Sequence, residues 1–165
     1  MFSSFIRKRI PEISIFHSPV SPSSSKAVTL LRSAVSGPYP PTSASSPPLN
    51  FNLQVVESPP TADQLKTILH YLTPSHPPKP ASTTFLTAHP SAPSLTERPD
   101  NVHDIVELAR SNPNAFKWPI VVDWSGGRVC VGDLDCVKGM LERLRRIRDG
   151  EDDDEKIDLP KGWFT

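Results

Sequence analysis

Residues 117–133, Lys-Trp-Pro-Ile-Val-Val-Asp-Trp-Ser-Gly-Gly-Arg-Val-Cys-Val-Gly-Asp, decide the architecture. Ile120, Val121 and Val122 form an uninterrupted apolar run, as a strand needs when both of its faces are covered. Ser125-Gly126-Gly127 supplies turn residues that tolerate positive φ, and Arg128 to Gly132 returns as the antiparallel partner. Asp133 or Asp135 then caps a last helix, in which Val137, Met140, Leu141, Leu144 and Ile147 recur at helical spacing. Its end is cationic (Arg143, Arg145, Arg146, Arg148), which complements the negative pole of the helix dipole. The chain closes on a ββα unit.

The first half has a different order. Ile13-Ser-Ile-Phe-His17 alternates apolar and polar positions and reads as a short strand ending at Ser18-Pro19. Any of Ser23, Ser24 and Ser25 can cap a helix that carries Ala27, Val28, Leu30, Leu31 and Ala34 on one side, and Gly37-Pro38 stops it. Residues 51–57 alternate again and read as a second strand, ended by Pro59-Pro60. Thr61 and Gln64 form a capping box ahead of Leu65, Ile68, Leu69 and Leu72. Asp100 or Asn101 caps a third helix with Val102, Ile105, Val106, Leu108 and Ala109 on its inner side. The order is βαβ-α-ββα, the thioredoxin topology, with right-handed crossovers expected. The fold class is α/β, a single thioredoxin-like domain over residues 11–148.

Composition sets the limits. Twenty prolines against seven glycines is far above the usual proline share of about 5%. They cluster at 38–48, 74–80 and 90–99, so flexible insertions are expected at 38–50 and 73–99. Formal charge is zero, from 18 basic and 18 acidic residues. A protein that neutralises phosphates shows a basic excess, so nucleic acid is not an expected partner. The acids concentrate in an expected disordered tail, 149–165, through Asp149, Glu151, Asp152, Asp153, Asp154 and Glu155. Residues 1–10 are basic, hydroxyl-bearing and free of acids, which is the signature of a mitochondrial transit peptide. No apolar stretch approaches the roughly 20 residues that span a bilayer, so a soluble mitochondrial protein is expected. Two cysteines make no disulfide framework, and free thiols fit best.

Three stretches resemble known proteins: "FHSPVSPSS" at 16–24, "VVESPPTADQLKTIL" at 55–69 and "KWPIVVDWSGGRVCVGD" at 117–133. Together they are similar to the arsenate-reductase branch of the thioredoxin-like superfamily and, more closely, to a fungal family of small mitochondrial redox proteins. The latter shares the strand around Trp118-Pro119 and the Gly132-Asp133 pair. The resemblance implies an oxidoreductase that reduces small toxic molecules through a single thiol. In the arsenate-reductase loop, His17 and Pro19 match, whereas Ser21 stands at the nucleophilic cysteine and Val20 at an arginine. Lys117 replaces the arginine before the strand proline. A serine hydroxyl cannot carry redox chemistry. The resemblance also implies that Trp118-Pro119 is cis and faces the loop, so that His17, Ser21, Lys117 and Pro119 would line a substrate site.

Thiol chemistry must then come from Cys130 or Cys136. Cys130 lies between two valines, where a buried thiol is ordinary. Cys136 falls in the first turn of the last helix, where free amides favour a thiolate and Asp133 and Asp135 oppose it. A bridge between the two is sterically conceivable, and no Cys-x-x-Cys motif suggests it. The five histidines show no metal-ligand spacing, so no metal is expected, and no cofactor is implied. Two readings stay open: a thiol-dependent oxidoreductase acting on a small molecule, and a non-catalytic binding protein that holds a peptide or thiol partner. Whether the chain is an enzyme is thus undecided by its sequence, as is its oligomeric state.

Overall fold

The structure is a computed structural model that describes residues 10–72, 80–89, 93–94 and 99–151. Residues 1–9 of the expected targeting segment 1–10 and the acidic run from Asp152 onward lie outside them. Four strands form one sheet: β1 (Glu12–Phe16), β2 (Asn52–Val56), β3 (Ile120–Asp123) and β4 (Arg128–Val131), in the order β2-β1-β3-β4. β1 and β2 are parallel, while β3 is antiparallel to both β1 and β4. Among the described residues, five α-helices accompany them: α1 (Pro22–Ser36), α2 (Ala62–Leu72), α3 (Ala81–Phe85), α4 (Val102–Ser111) and α5 (Leu134–Arg148). A parallel βαβ unit joined to an antiparallel ββα unit in this strand order is the thioredoxin-like fold.

Successive strand side chains point to opposite faces, and the core divides accordingly. Ile13, Ile15, Val121 and Cys130 meet Ala27, Leu31, Val137 and Leu141 of α1 and α5. Phe16, Ile120 and Val122 meet Leu65, Ile68, Ile105 and Ala109 of α2 and α4. β3 is buried throughout, as its apolar run requires. Each fully buried Leu, Ile or Phe contributes about 1.5–3 kcal/mol relative to exposure.

Local signals explain the helix starts. Thr61 Oγ1 accepts from the Gln64 amide at 3.2 Å while Gln64 Oε1 accepts from the Thr61 amide at 2.9 Å, closing the capping box. Of the alternatives left open, Asn101 caps α4 and Asp133 caps α5. For α1 the cap is none of Ser23, Ser24 or Ser25. It is Ser21, followed by Pro22 in the first turn, where a fixed φ and a missing amide cost nothing.

The described residues of the two expected insertions pack on the domain. Segment 38–50 is tied to the domain: Leu49 is buried, and Arg148 Nη1 donates to the carbonyls of Tyr39 and Pro47, each at 2.6 Å. Burial, and then the nearby Glu142 carboxylate, push the Tyr39 phenol above its usual pKa. At the same end of α5, the Arg145 guanidinium holds the Glu142 carboxyl below its ordinary value. Arg148 does the same for Asp149. Within 73–99, α3 places Phe85 and Leu86 at 0% and 2% exposure. Leu86 also bridges Phe116 in β fashion. In that stretch α3 and Leu86 thus belong to the core.

Candidate functional site

The loop between β1 and α1 is organised by one buried hydroxyl. Ser24 is wholly buried, and its Oγ accepts from the Ser18 amide at 3.0 Å and lies 2.6 Å from His17 Nδ1. A hydroxyl can donate or accept, so this contact suits either imidazole tautomer. The His17 amide donates to the Val56 carbonyl at 2.7 Å, which ties the loop to the end of β2. Ser21 Oγ is occupied as the α1 cap, accepting from the Ser24 amide at 3.3 Å. Between these fixed points Val20 is 72% exposed.

The facing wall comes from the chain ahead of β3. The Trp118-Pro119 bond is cis, as expected, and Pro119 is itself buried. Trp118 Nε1 donates to the Pro113 carbonyl at 2.8 Å, at the start of a 3-10 turn over Pro113–Ala115. Phe116 packs edge-on against Trp118 and stacks with Phe85. The Lys117 amide donates to the Phe85 carbonyl and its Nζ to the Thr83 carbonyl, so α3 buttresses this wall. Gly132 follows β4 with φ of 63°. Its amide donates to the Pro119 carbonyl at 2.7 Å, and a Cβ there would stand 3.5 Å from that of Lys117.

The two walls enclose an open cleft of about 430 Å³ between Val20, Ser21 and Pro22 on one side and Phe116, Lys117 and Trp118 on the other. Among the described residues that line it, Lys117 carries the only charge. Of the four residues expected to bind substrate, the cleft presents Ser21 and Lys117, whereas His17 and Pro119 are buried and set the walls. Thr87, Pro113 and Asn114 complete it and were not foreseen. The one sequence signal for them is the apolar pair Phe85-Leu86 inside an otherwise proline-rich stretch. Among the described residues, no group of three His, Cys, Asp or Glu side chains converges as a metal site would require.

The cysteines lie elsewhere. Cys130 and Cys136 are joined by a disulfide with Cα atoms 5.6 Å apart, so the expected free thiols are bridged. Cys130 is 3% exposed, on the face of the sheet that packs against α1 and α5. Cys136 is half-buried in the first turn of α5, where its amide donates to Asp133 Oδ1 at 3.3 Å. Neither lines the cleft, although Gly132, which does, separates β4 from α5. Asp123, buried at 2%, accepts the amides of Ser125 and Gly126 and thereby serves the β3–β4 hairpin.

Among solved structures the chain is similar to one described as "Putative arsenate reductase from Yersinia pestis", with 22% identity, a TM-score of 0.45, and coverage of 79% of this chain and 98% of that one. It is also similar to an arsenate reductase from Vibrio cholerae, with 16% identity, a TM-score of 0.45, and coverage of 84% and 99%. No curated protein matches the sequence significantly. One family model matches residues 3–132, from ahead of β1 to the end of the β3–β4 hairpin. The chain belongs to the family described as protein of unknown function (DUF1687).

Proposed function

We propose that the protein is a thiol–disulfide oxidoreductase of thioredoxin-like fold whose redox couple is Cys130–Cys136, with the partner thiol or small-molecule disulfide meeting Cys136 at the start of α5. The observation that carries this reading is the bridge between a buried Cys130 and a half-buried Cys136 at the start of α5. An incoming thiolate attacks the more accessible sulfur, Cys136 Sγ. The Cys130–Cys136 bond breaks, a mixed disulfide forms at Cys136, and Cys130 leaves as thiolate. A second donor thiolate attacks the donor sulfur of the mixed disulfide, releasing Cys136 and an oxidised donor. Two donor thiols are thus oxidised and the protein disulfide is reduced to a dithiol. Run in reverse, the dithiol reduces a small disulfide.

The test is equilibration of the native chain in thiol–disulfide buffers, with alkylation and mass spectrometry at each ratio. A reversible two-electron transition is expected, with the reduced protein turning over a small aromatic disulfide and Cys136→Ser inactive. A bridge that reduces only after unfolding would overturn the reading. A second reading, non-catalytic binding, is favoured by one observation: Ser21 holds the loop position in the cleft and no cysteine lines it. Tight peptide or thiol binding that is lost in Trp118→Ala but kept in Cys136→Ser would establish that second reading.

A mitochondrial destination belongs to the same proposal, supported by Arg7, Lys8 and Arg9 in an acid-free leader. Uptake of the full chain into isolated mitochondria is expected to depend on membrane potential and to fail when these three residues are replaced by Gln. Uptake unaffected by that change would remove this part.

A further inference from the structure

The disulfide between Cys130 and Cys136, six positions apart, closes the segment that leaves β4 and enters α5 into a small covalent ring. Two residues of that ring have other duties. Gly132 lines the Ser21–Trp118 cleft, and Asp133 caps α5. The bridge and the cleft therefore share one piece of backbone, although neither cysteine lines the cleft.

Gly132 is the contact between them. Its amide donates to the Pro119 carbonyl at 2.7 Å, one position beyond the Ile120–Val131 pair that ends the β3–β4 ladder. Its φ of 63° is left-handed, a conformation that residues with a side chain rarely adopt. A Cβ there would stand 3.5 Å from Lys117 Cβ and 3.8 Å from the Trp118 carbonyl oxygen, so this backbone rests directly on the facing wall. That wall hangs on two further backbone bonds from cleft-lining residues. The Lys117 amide donates to the Phe85 carbonyl at 2.8 Å, and the Thr87 amide to the Ala115 carbonyl at 2.7 Å. On the other side of Gly132, Asp133 Oδ1 accepts the Asp135 and Cys136 amides. The cap sets the first turn of α5, and the bridge ties that turn back to β4. With the bridge open, Gly132 keeps its place through the cap and a single backbone bond.

We propose that the Cys130–Cys136 bridge is a redox gate on the Ser21–Trp118 cleft. Closed, it holds Gly132 against Lys117 and Trp118 and keeps the cleft in one shape. Opened, it frees Gly132 and loosens that wall. The inference rests on the bridge opening in the folded chain, as the oxidoreductase reading also requires. Opening is a two-electron reduction by a donor dithiol: the donor loses two protons and two electrons and closes its own disulfide. Cys130 and Cys136 each gain one proton and one electron as their S–S bond breaks. By linkage, a cleft ligand that needs Gly132 in place favours the closed bridge.

Amide hydrogen exchange of the full chain, read by NMR, tests the gate in the oxidised protein, after dithiothreitol and in Cys136→Ser. Gly132, Lys117 and Thr87 are expected to exchange about tenfold faster or more once the bridge is open. Ile68 and Ala109, buried in α2 and α4, are references and are expected to change far less. Equal acceleration at all of these amides would report a general loss of stability and overturn the proposal. Cleft amides as slow in Cys136→Ser as in the oxidised chain would overturn it too. Gly132→Ala keeps the bridge and strains the left-handed turn, so it is expected to accelerate Lys117 and Thr87 by itself. Opening the bridge in that variant is expected to add little, because both changes act through Gly132. Effects that simply multiply would remove Gly132 as the link. Reduction in the folded state with an unmoved cleft would overturn the gate alone. A bridge that dithiothreitol opens only on unfolding would overturn the redox control together with the oxidoreductase reading.

Discussion

Phe85→Ala is expected to destabilise the protein by about 3–5 kcal/mol, the range for removing a fully buried aromatic side chain. Phe85 has no exposed surface and stacks on Phe116 at 6.1 Å between ring centroids. Phe116 in turn packs edge-on against Trp118 at 5.0 Å. Truncation thus opens a cavity behind one wall of the Ser21–Trp118 cleft. Binding at that cleft is expected to fall along with stability. Denaturant unfolding of Phe85→Ala beside Thr83→Ala measures it. Thr83 is exposed on the same short helix, so its substitution should stay within about 0.5 kcal/mol. A Phe85→Ala cost below about 1 kcal/mol would mean that 81–86 lies on the domain without belonging to its core, since buried Phe truncations do not fall so low.

That segment marks where sequence reasoning stops working. The apolar run Ile120–Val122 and the stripes of α1, α2, α4 and α5 repeat at two or 3.6 residues, so the elements and both sheet faces can be read from them. The Thr61–Gln64 box is equally legible, because its two bonds lie within one turn. Phe85 and Leu86 are a single apolar pair with no repeat on either side. Their burial depends on a partner thirty residues away, Phe116, which local pattern cannot supply. The same holds for the bridge: Cys130 and Cys136 are six positions apart, but only the packing of α5 back over β4 turns their side chains together. At the loop after β1, resemblance drew attention to Ser21 through the position of a missing cysteine. Resemblance is silent about Ser24, whose role rests on burial rather than on type, because three adjacent serines look alike in sequence.

Ser24→Ala is accordingly expected to cost about 2–4 kcal/mol, because two buried groups lose their partner and each unsatisfied group costs about 1–3 kcal/mol. The Ser18 amide and His17 Nδ1 both meet Ser24 Oγ, and all three residues are less than a tenth exposed. Ser21→Ala removes one bond at a helix start that water can reach, which costs typically about 1 kcal/mol. Their ratio separates two accounts of the loop. If Ser24 organises it, Ser24→Ala is the costlier change, and pairing it with His17→Ala is strongly non-additive because both act on one buried bond. Equilibrium unfolding of the two single variants and the His17–Ser24 double variant decides this. Additive costs, or a Ser21→Ala penalty exceeding that of Ser24→Ala, would show that the helix cap alone holds the loop. Binding at the cleft adds a second reading of the same comparison. Losing the Ser24 contacts frees His17 and Ser18 and should loosen Val20 at the cleft edge, whereas Ser21→Ala leaves that edge fixed while changing the one hydroxyl exposed there.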